Sequence, residues 1–145
     1  MLHHAERTFF ESRKRGGRMS SVRTGGRLLV VDDDKAVRGL FDRMLTRAGF
    51  SVDFAVDGEE ALLKLSDGDY SVVVLDLMMP RIGGIEILER IRSEAPRLMS
   101  RVIVATGADS RTVRRVDEFG VHSIVRKPFD VYDFVKTARA CASRS

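Results

Sequence analysis

The chain is short of several things, and each shortage narrows what the protein can be. It has a single cysteine, Cys141. One thiol makes no internal disulfide, which suits a reducing compartment, and its position near the end of the last apolar-periodic segment reads as half-buried. No apolar run approaches the roughly 20 residues that cross a bilayer. The N-terminus has no apolar signal region either, which argues against export. These absences place the protein in the cytoplasm, with no membrane partner. Internal repeats are missing, and 145 residues is the length of one domain with room for a real core.

Acidic residues are scarce in one stretch only. Residues 1–27 carry seven basic side chains against Glu6 and Glu11, a surplus of +5, while the whole chain is +4. The basicity therefore belongs to the leader. Rich in Gly, Ser and Arg and without sustained periodicity, the leader predicts a flexible basic tail over residues 1–26 and a domain over 27–145. Such a tail can touch nucleic acid or acidic lipid; a solvated tail without a partner is the plainer reading. A translation start at Met19 would shorten it further. His3 and His4 stand without further ligands nearby, which argues against a metal there.

From residue 27 onward two kinds of segment alternate. The apolar runs at 28–31 and 72–75 read as strands buried on both faces. Further strands are expected at 50–56, where Val52, Phe54 and Val56 share a face, and at 101–105 and 123–125. Between them lie helical stripes: Val37, Leu40, Phe41, Met44, Leu45 and Ala48; Ala61, Leu62 and Leu65; Ile85, Leu88 and Ile91; a segment over 110–119; and Phe134, Val135 and Ala138. Asp34 and Asp57 stand where helix caps belong, and Gly49 and Gly120 where helices stop. Five strands alternating with five helices predict an α/β domain, a five-stranded parallel sheet doubly wound as (βα)5. Ligands of such sheets bind outside the carboxyl ends of the strands, at the switch point in strand order.

The stretch LLVVDDDK runs four apolar residues into three carboxylates. Asp34 is accounted for as a cap; Asp32 and Asp33 are left at the end of the first strand. The third strand ends in Asp76, the fourth in Thr106, the fifth in Lys127 ahead of Pro128. Singly, each has an ordinary explanation: a loop acid, a turn threonine, a solvated lysine. Together, at the ends of strands of one parallel sheet, they predict a shared site. Crowded carboxylates hold their protons unless a cation offsets them. Three oxygen-donating acids suit a hard cation such as Mg²⁺.

The pieces VVDDD, VVVLDLMMPRIGG, VIVATGA and VRKPF, in that order, resemble the receiver domains of two-component response regulators, the superfamily of the chemotaxis regulator. The resemblance covers about residues 27–142. It implies the flavodoxin-like strand order 2-1-3-4-5. It also implies that Asp76 is the phosphoacceptor, taking a phosphoryl group from a sensor histidine kinase or a histidine phosphotransfer protein. Asp33 would bind Mg²⁺, or Mn²⁺ in its place, directly, with Asp32 acting largely through water and the backbone carbonyl of Met78 as a further ligand. Lys127 would pair with the phosphoryl oxygens and Thr106 would hydrogen-bond one of them.

On this resemblance the chain is a single-domain response regulator that signals by phosphorylation-dependent protein binding. It would be no enzyme beyond its own phosphorylation and slow self-dephosphorylation. The expected output face uses the fourth helix, fifth strand and fifth helix, where Arg111, Arg114, Arg115 and Arg126 would favour an acidic partner. Nucleic acid would enter only through the basic tail. A receiver module of a longer hybrid kinase or transcription regulator, a phosphorelay intermediate and a phosphate sink are the alternatives. A phosphohydrolase of the haloacid-dehalogenase type would want an aspartate where Met78 stands, and a cap domain.

Three positions depart from the family pattern. Ile124 stands where many members have Tyr or Phe, with His122 expected on the surface nearby. Gly83 stands where Asp is frequent. Met78 and Ala108, two past the phosphoacceptor and two past the threonine, offer no side chain that could hydrogen-bond a hydrolytic water, hence the expected slow self-dephosphorylation.

Overall fold

The computed structural model describes residues 25–143. The elements alternate strictly: β1 (Gly26–Val31), α1 (Lys35–Arg47), β2 (Phe50–Ala55), α2 (Gly58–Asp67), β3 (Val72–Leu75), α3 (Gly84–Glu94), a 3₁₀ segment (Pro96–Arg101), β4 (Val102–Thr106), α4 (Ser110–Asp117), β5 (Ser123–Arg126) and α5 (Val131–Ser143). All strand pairs are parallel, in the order β2-β1-β3-β4-β5. This is the expected doubly wound sheet, with its switch point between β1 and β3.

Alternation along β1 sends Leu28 and Val30 to one face and Leu29 and Val31 to the other, and all four are fully buried. The first pair packs under α1 and α5, against Phe41, Leu45, Phe134 and Ala138. The second packs under α2, α3 and α4, against Ala61, Ile87, Leu88 and Val116. A sheet covered on both faces requires strands apolar throughout, which is why β1 and β3 read as unbroken runs. Phe41 and Phe134, 5.1 Å apart at their centroids, form a trio with Phe129 that ties α1 to the start of α5. Each fully buried ring of this kind removes enough apolar surface to contribute about 2–3 kcal/mol.

Several local expectations are corrected. Strand β1 opens at Gly26, inside the stretch assigned to the tail, and Gly25 donates its N–H to the Gly49 carbonyl at 3.0 Å. The rest of that stretch, with His3, His4 and Met19, lies outside the described residues. Cys141 is fully buried rather than half-buried, because α5 lays it against the inner face of the sheet. Leu40 and Val56 are exposed. Val56 lies one residue beyond β2, where its N–H donates to Glu60 Oε1 at 2.8 Å while Asp57 caps α2 through the Glu60 N–H. Arg101 belongs to the 3₁₀ segment, not to β4. Helix α3 has to stop at Pro96, since proline disfavours helical backbone in the residue before it, and the segment tightens instead of ending. Helix α4 ends at Asp117, before Gly120 at φ +80°.

Candidate functional site

Register builds the site. Val31 lies opposite Leu75, so the residues that follow, Asp32 and Asp76, leave the sheet side by side. The Asp76 N–H still donates to the Val31 carbonyl at 3.0 Å, and the Asp32 N–H to Ala55 at 3.1 Å. On the other side Thr106 lies opposite Arg126, and the next residue, Lys127, donates its N–H to the Thr106 carbonyl at 3.0 Å. The Lys127–Pro128 peptide is cis. The lysine side chain reaches back across the strand ends, with Nζ 2.9 Å from Asp32 Oδ2 and 3.8 Å from Asp76 Oδ2.

Asp32, Asp33 and Asp76 each bring a carboxylate oxygen within 4.8 Å of the others. Asp32 and Asp76 are buried, at 2% and 6% exposure, while Asp33 is open to solvent. The Asp32 carboxylate is bonded at both oxygens, Oδ1 accepting from the Asp34 N–H at 2.9 Å and Oδ2 from Lys127. Asp76 Oδ1 accepts the Met78 N–H at 3.2 Å. Burial pushes the Asp76 carboxyl above its ordinary range, and the negative charges of Asp32 and Asp33 push the same way; the Met78 N–H and the Lys127 ammonium pull against them. Negative charge is thus in excess, in a half-closed crevice lined with hard oxygen donors. That donor set fits a divalent cation of the Mg²⁺ kind and offers no nitrogen or sulfur for softer metals.

Of the residues expected from the sequence, the structure brings Asp32, Asp33, Asp76 and Lys127 together. Thr106 is fully buried at the end of the adjacent strand, and its hydroxyl accepts the Ala108 N–H at 3.1 Å rather than touching a carboxylate. Met78 is 64% exposed, and its N–H donates to Asp76. Ile124 is half-buried on β5, packed toward α3 and α4. His122 is half-buried rather than on the surface, with Nδ1 2.7 Å from Ser123 Oγ. Arg111, Arg114, Arg115 and Arg126 are all exposed, and Arg126 donates to the Ala108 carbonyl at 3.4 Å. Gly83 caps α3 without a side-chain bond.

Two supporting residues escaped the sequence reading. Arg38, on the first turn of α1, donates to the Asp32 carbonyl at 2.8 Å. Gly84, the first residue of α3, packs against the backbone of Asp76 and Leu77: a Cβ there would lie 2.8 Å from the Asp76 carbonyl oxygen and 2.6 Å from Leu77 Cα. Gly84 carries no sequence signal for this close approach, and Arg38 none beyond its place one helical turn past the aspartates.

A flavodoxin-like sheet with an acidic, lysine-gated crevice at its switch point defines the class, and the comparisons with known proteins give the family. The family model for the response regulator receiver domain matches residues 28–139, and the chain belongs to that family. It is 39% identical over 119 residues to the response regulator MprA of Mycobacterium sp. strain KMS, an alignment covering 82% of this chain and 51% of that protein. With the transcriptional regulatory protein TcrA of Mycobacterium tuberculosis it shares 32% identity over 140 residues, 97% of this chain and 55% of the other. The chain spans about half the length of these curated relatives. Among solved structures, the receiver domain of a Francisella response regulator superposes with a TM-score of 0.75 at 27% identity, covering 81% of this chain and 97% of that one. Response regulator TrrA of Thermotoga maritima, solved with Mg²⁺ and BeF, gives a TM-score of 0.72 at 31% identity, covering 80% and 98%.

Proposed function

We propose that the protein is a response regulator whose receiver-domain Asp76 accepts a phosphoryl group from a sensor histidine kinase or a histidine phosphotransfer protein. The observation that carries this reading is the convergence of Asp32, Asp33, Asp76 and Lys127 at the switch point of the sheet. An Asp76 carboxylate oxygen attacks phosphorus, the new P–O bond forms as the P–N bond to the donor imidazole breaks, and the electron pair leaves with the nitrogen. Lys127 faces the crevice from one side and neutralises charge gathering on the phosphoryl oxygens. Thr106, whose backbone carbonyl accepts the Lys127 N–H, would turn its hydroxyl to hydrogen-bond a phosphoryl oxygen. Asp33, Asp76 and the Met78 carbonyl would hold Mg²⁺, or Mn²⁺, with Asp32 beside it acting through water. That ion, when bound, supplies further charge neutralisation.

Apart from its own phosphorylation and slow self-dephosphorylation the protein catalyses nothing. It acts in the cytoplasm, by binding a downstream protein through α4, β5 and α5 in a phosphorylation-dependent way. Nucleic acid enters only through the basic tail. In support of the location, no described helix is long and apolar enough to cross a membrane. A second reading, a receiver module belonging to a longer hybrid kinase or transcription regulator, is favoured by one observation: the curated relatives are about twice as long as the matched segment. A relay intermediate or phosphate sink would use the same site.

Transfer from a histidine kinase labelled on its histidine to this chain, and none to Asp76→Asn, is the test of the reading. Its finer part concerns lifetime. Met78 is exposed beside the acceptor and Ala108 is buried, and neither side chain can orient water. Met78→Asn combined with Ala108→Glu is expected to shorten the phosphorylated lifetime by about a hundredfold, the low end of what a positioned polar group contributes to proton transfer. An unchanged decay would sink the idea.

A further inference from the structure

Arg38 takes no part in the phosphoryl chemistry, yet it is bonded to the turn from which the acidic cluster hangs. It sits half-buried on the first turn of α1, where its own N–H makes the opening helical bond to the Asp34 carbonyl at 3.0 Å. Its guanidinium Nη1 donates to the backbone carbonyl of Asp32 at 2.8 Å. With that bond all four polar atoms of Asp32 are engaged: N–H to Ala55, Oδ1 from Asp34, Oδ2 from Lys127, carbonyl from Arg38. The gripped oxygen belongs to the peptide joining Asp32 to Asp33. A peptide is planar, so holding its oxygen sets the plane from which Asp33 departs. Asp33 itself is exposed, and its direction follows from the turn that carries it.

We propose that Arg38 is a positioning residue: by fixing the 32–33 peptide it aims the Asp33 carboxylate at the divalent cation. The proposal rests on the metal-binding reading above and goes beyond it. A competing account of Arg38 gives the opposite sign. A guanidinium near three carboxylates is, as a bare charge, a repulsive neighbour for an incoming cation. Removing it would then tighten metal binding. Removing a positioning group loosens it, because the partner that orients a ligand contributes to affinity without touching the metal.

The experiment is titration calorimetry of Mg²⁺ into the full chain and into Arg38→Met, Arg38→Gln and Arg38→Lys. Melting curves with and without Mg²⁺ accompany it. Methionine keeps the stem and removes donor and charge; it is expected to weaken binding by about tenfold and to shrink the Mg²⁺-induced rise in Tm. Lysine, which keeps a charged donor, is expected to recover part of the affinity, and glutamine to fall near methionine. Should the methionine variant fail to fold, glutamine carries the same comparison. Binding by Arg38→Met equal to the parent's overturns the proposal, and binding tighter than the parent's overturns it in favour of bare charge. If the parent chain binds no Mg²⁺, the metal reading itself fails, and the proposal with it.

Discussion

Lys127→Met is expected to lower the rate of phosphoryl transfer to Asp76 by about a hundredfold or more while leaving Mg²⁺ binding intact or tighter. Loss of one preorganised group that stabilises developing negative charge costs on this order. The proposed role makes Lys127 such a group, its ammonium 2.9 Å from Asp32 and 3.8 Å from Asp76, on a side chain only 24% exposed. Methionine keeps the stem packed and removes the charge. The two effects separate because the ammonium helps the transferring group but competes with a metal for the same carboxylates. The substitution also strips buried Asp32 of its cation, so the variant should melt below the parent without Mg²⁺ and recover when Mg²⁺ is added. Initial rates of phosphoryl gain from a small phosphodonor, with calorimetric Mg²⁺ affinities alongside, check both halves. A transfer rate equal to the parent's would contradict the role given to the lysine.

The second large effect lies in the backbone. Gly84→Ala places a methyl 2.6 Å from Leu77 Cα and 2.8 Å from both the Asp76 carbonyl oxygen and Leu77 Cδ2. Two of these three atoms are backbone and cannot swing away, so either α3 moves off or the Asp76–Leu77 peptide shifts. Overpacking of this kind costs about 1–3 kcal/mol, a fall of roughly 4–12 °C in Tm for a domain of this size. Because the displaced atoms flank Asp76, phosphorylation should fall as well. Gly107→Ala is the matched control for stability: nothing lies within 4 Å of a Cβ at that position, and the melt should barely change. A Gly84→Ala protein that melts with the parent would mean that α3 and the acceptor loop are not packed as described.

What was legible from the sequence follows from how the information is carried. Strands β1 and β3 are buried on both faces, so their apolar runs announce them, and the carboxylates after Val31 and Leu75 mark the strand ends to the residue. Parallel register then puts Asp32 beside Asp76 without further instruction. The caps Asp34 and Asp57 were legible because a carboxylate before a helical stripe has one obvious use, and both accept the expected N–H bonds. What stayed hidden depends on three-dimensional approach. The need for glycine at 84 arises from the passage of α3 over Leu77, and Arg38 reaches a carbonyl six residues back. The exposure of Val56 and the burial of Cys141 turn on where β2 stops and how α5 is rotated, and neither is written in local periodicity.

The central claim is that Asp76 is the phosphoacceptor of a metal-dependent receiver. The measurement that tests it most directly is the intact mass of the chain after incubation with a small phosphodonor and Mg²⁺, beside Asp76→Asn and a chelator control. The expected result is a gain of one phosphoryl group that needs the metal and is absent from the variant. A gain that persists in Asp76→Asn, or no gain in a folded parent chain with Mg²⁺ present, would contradict it.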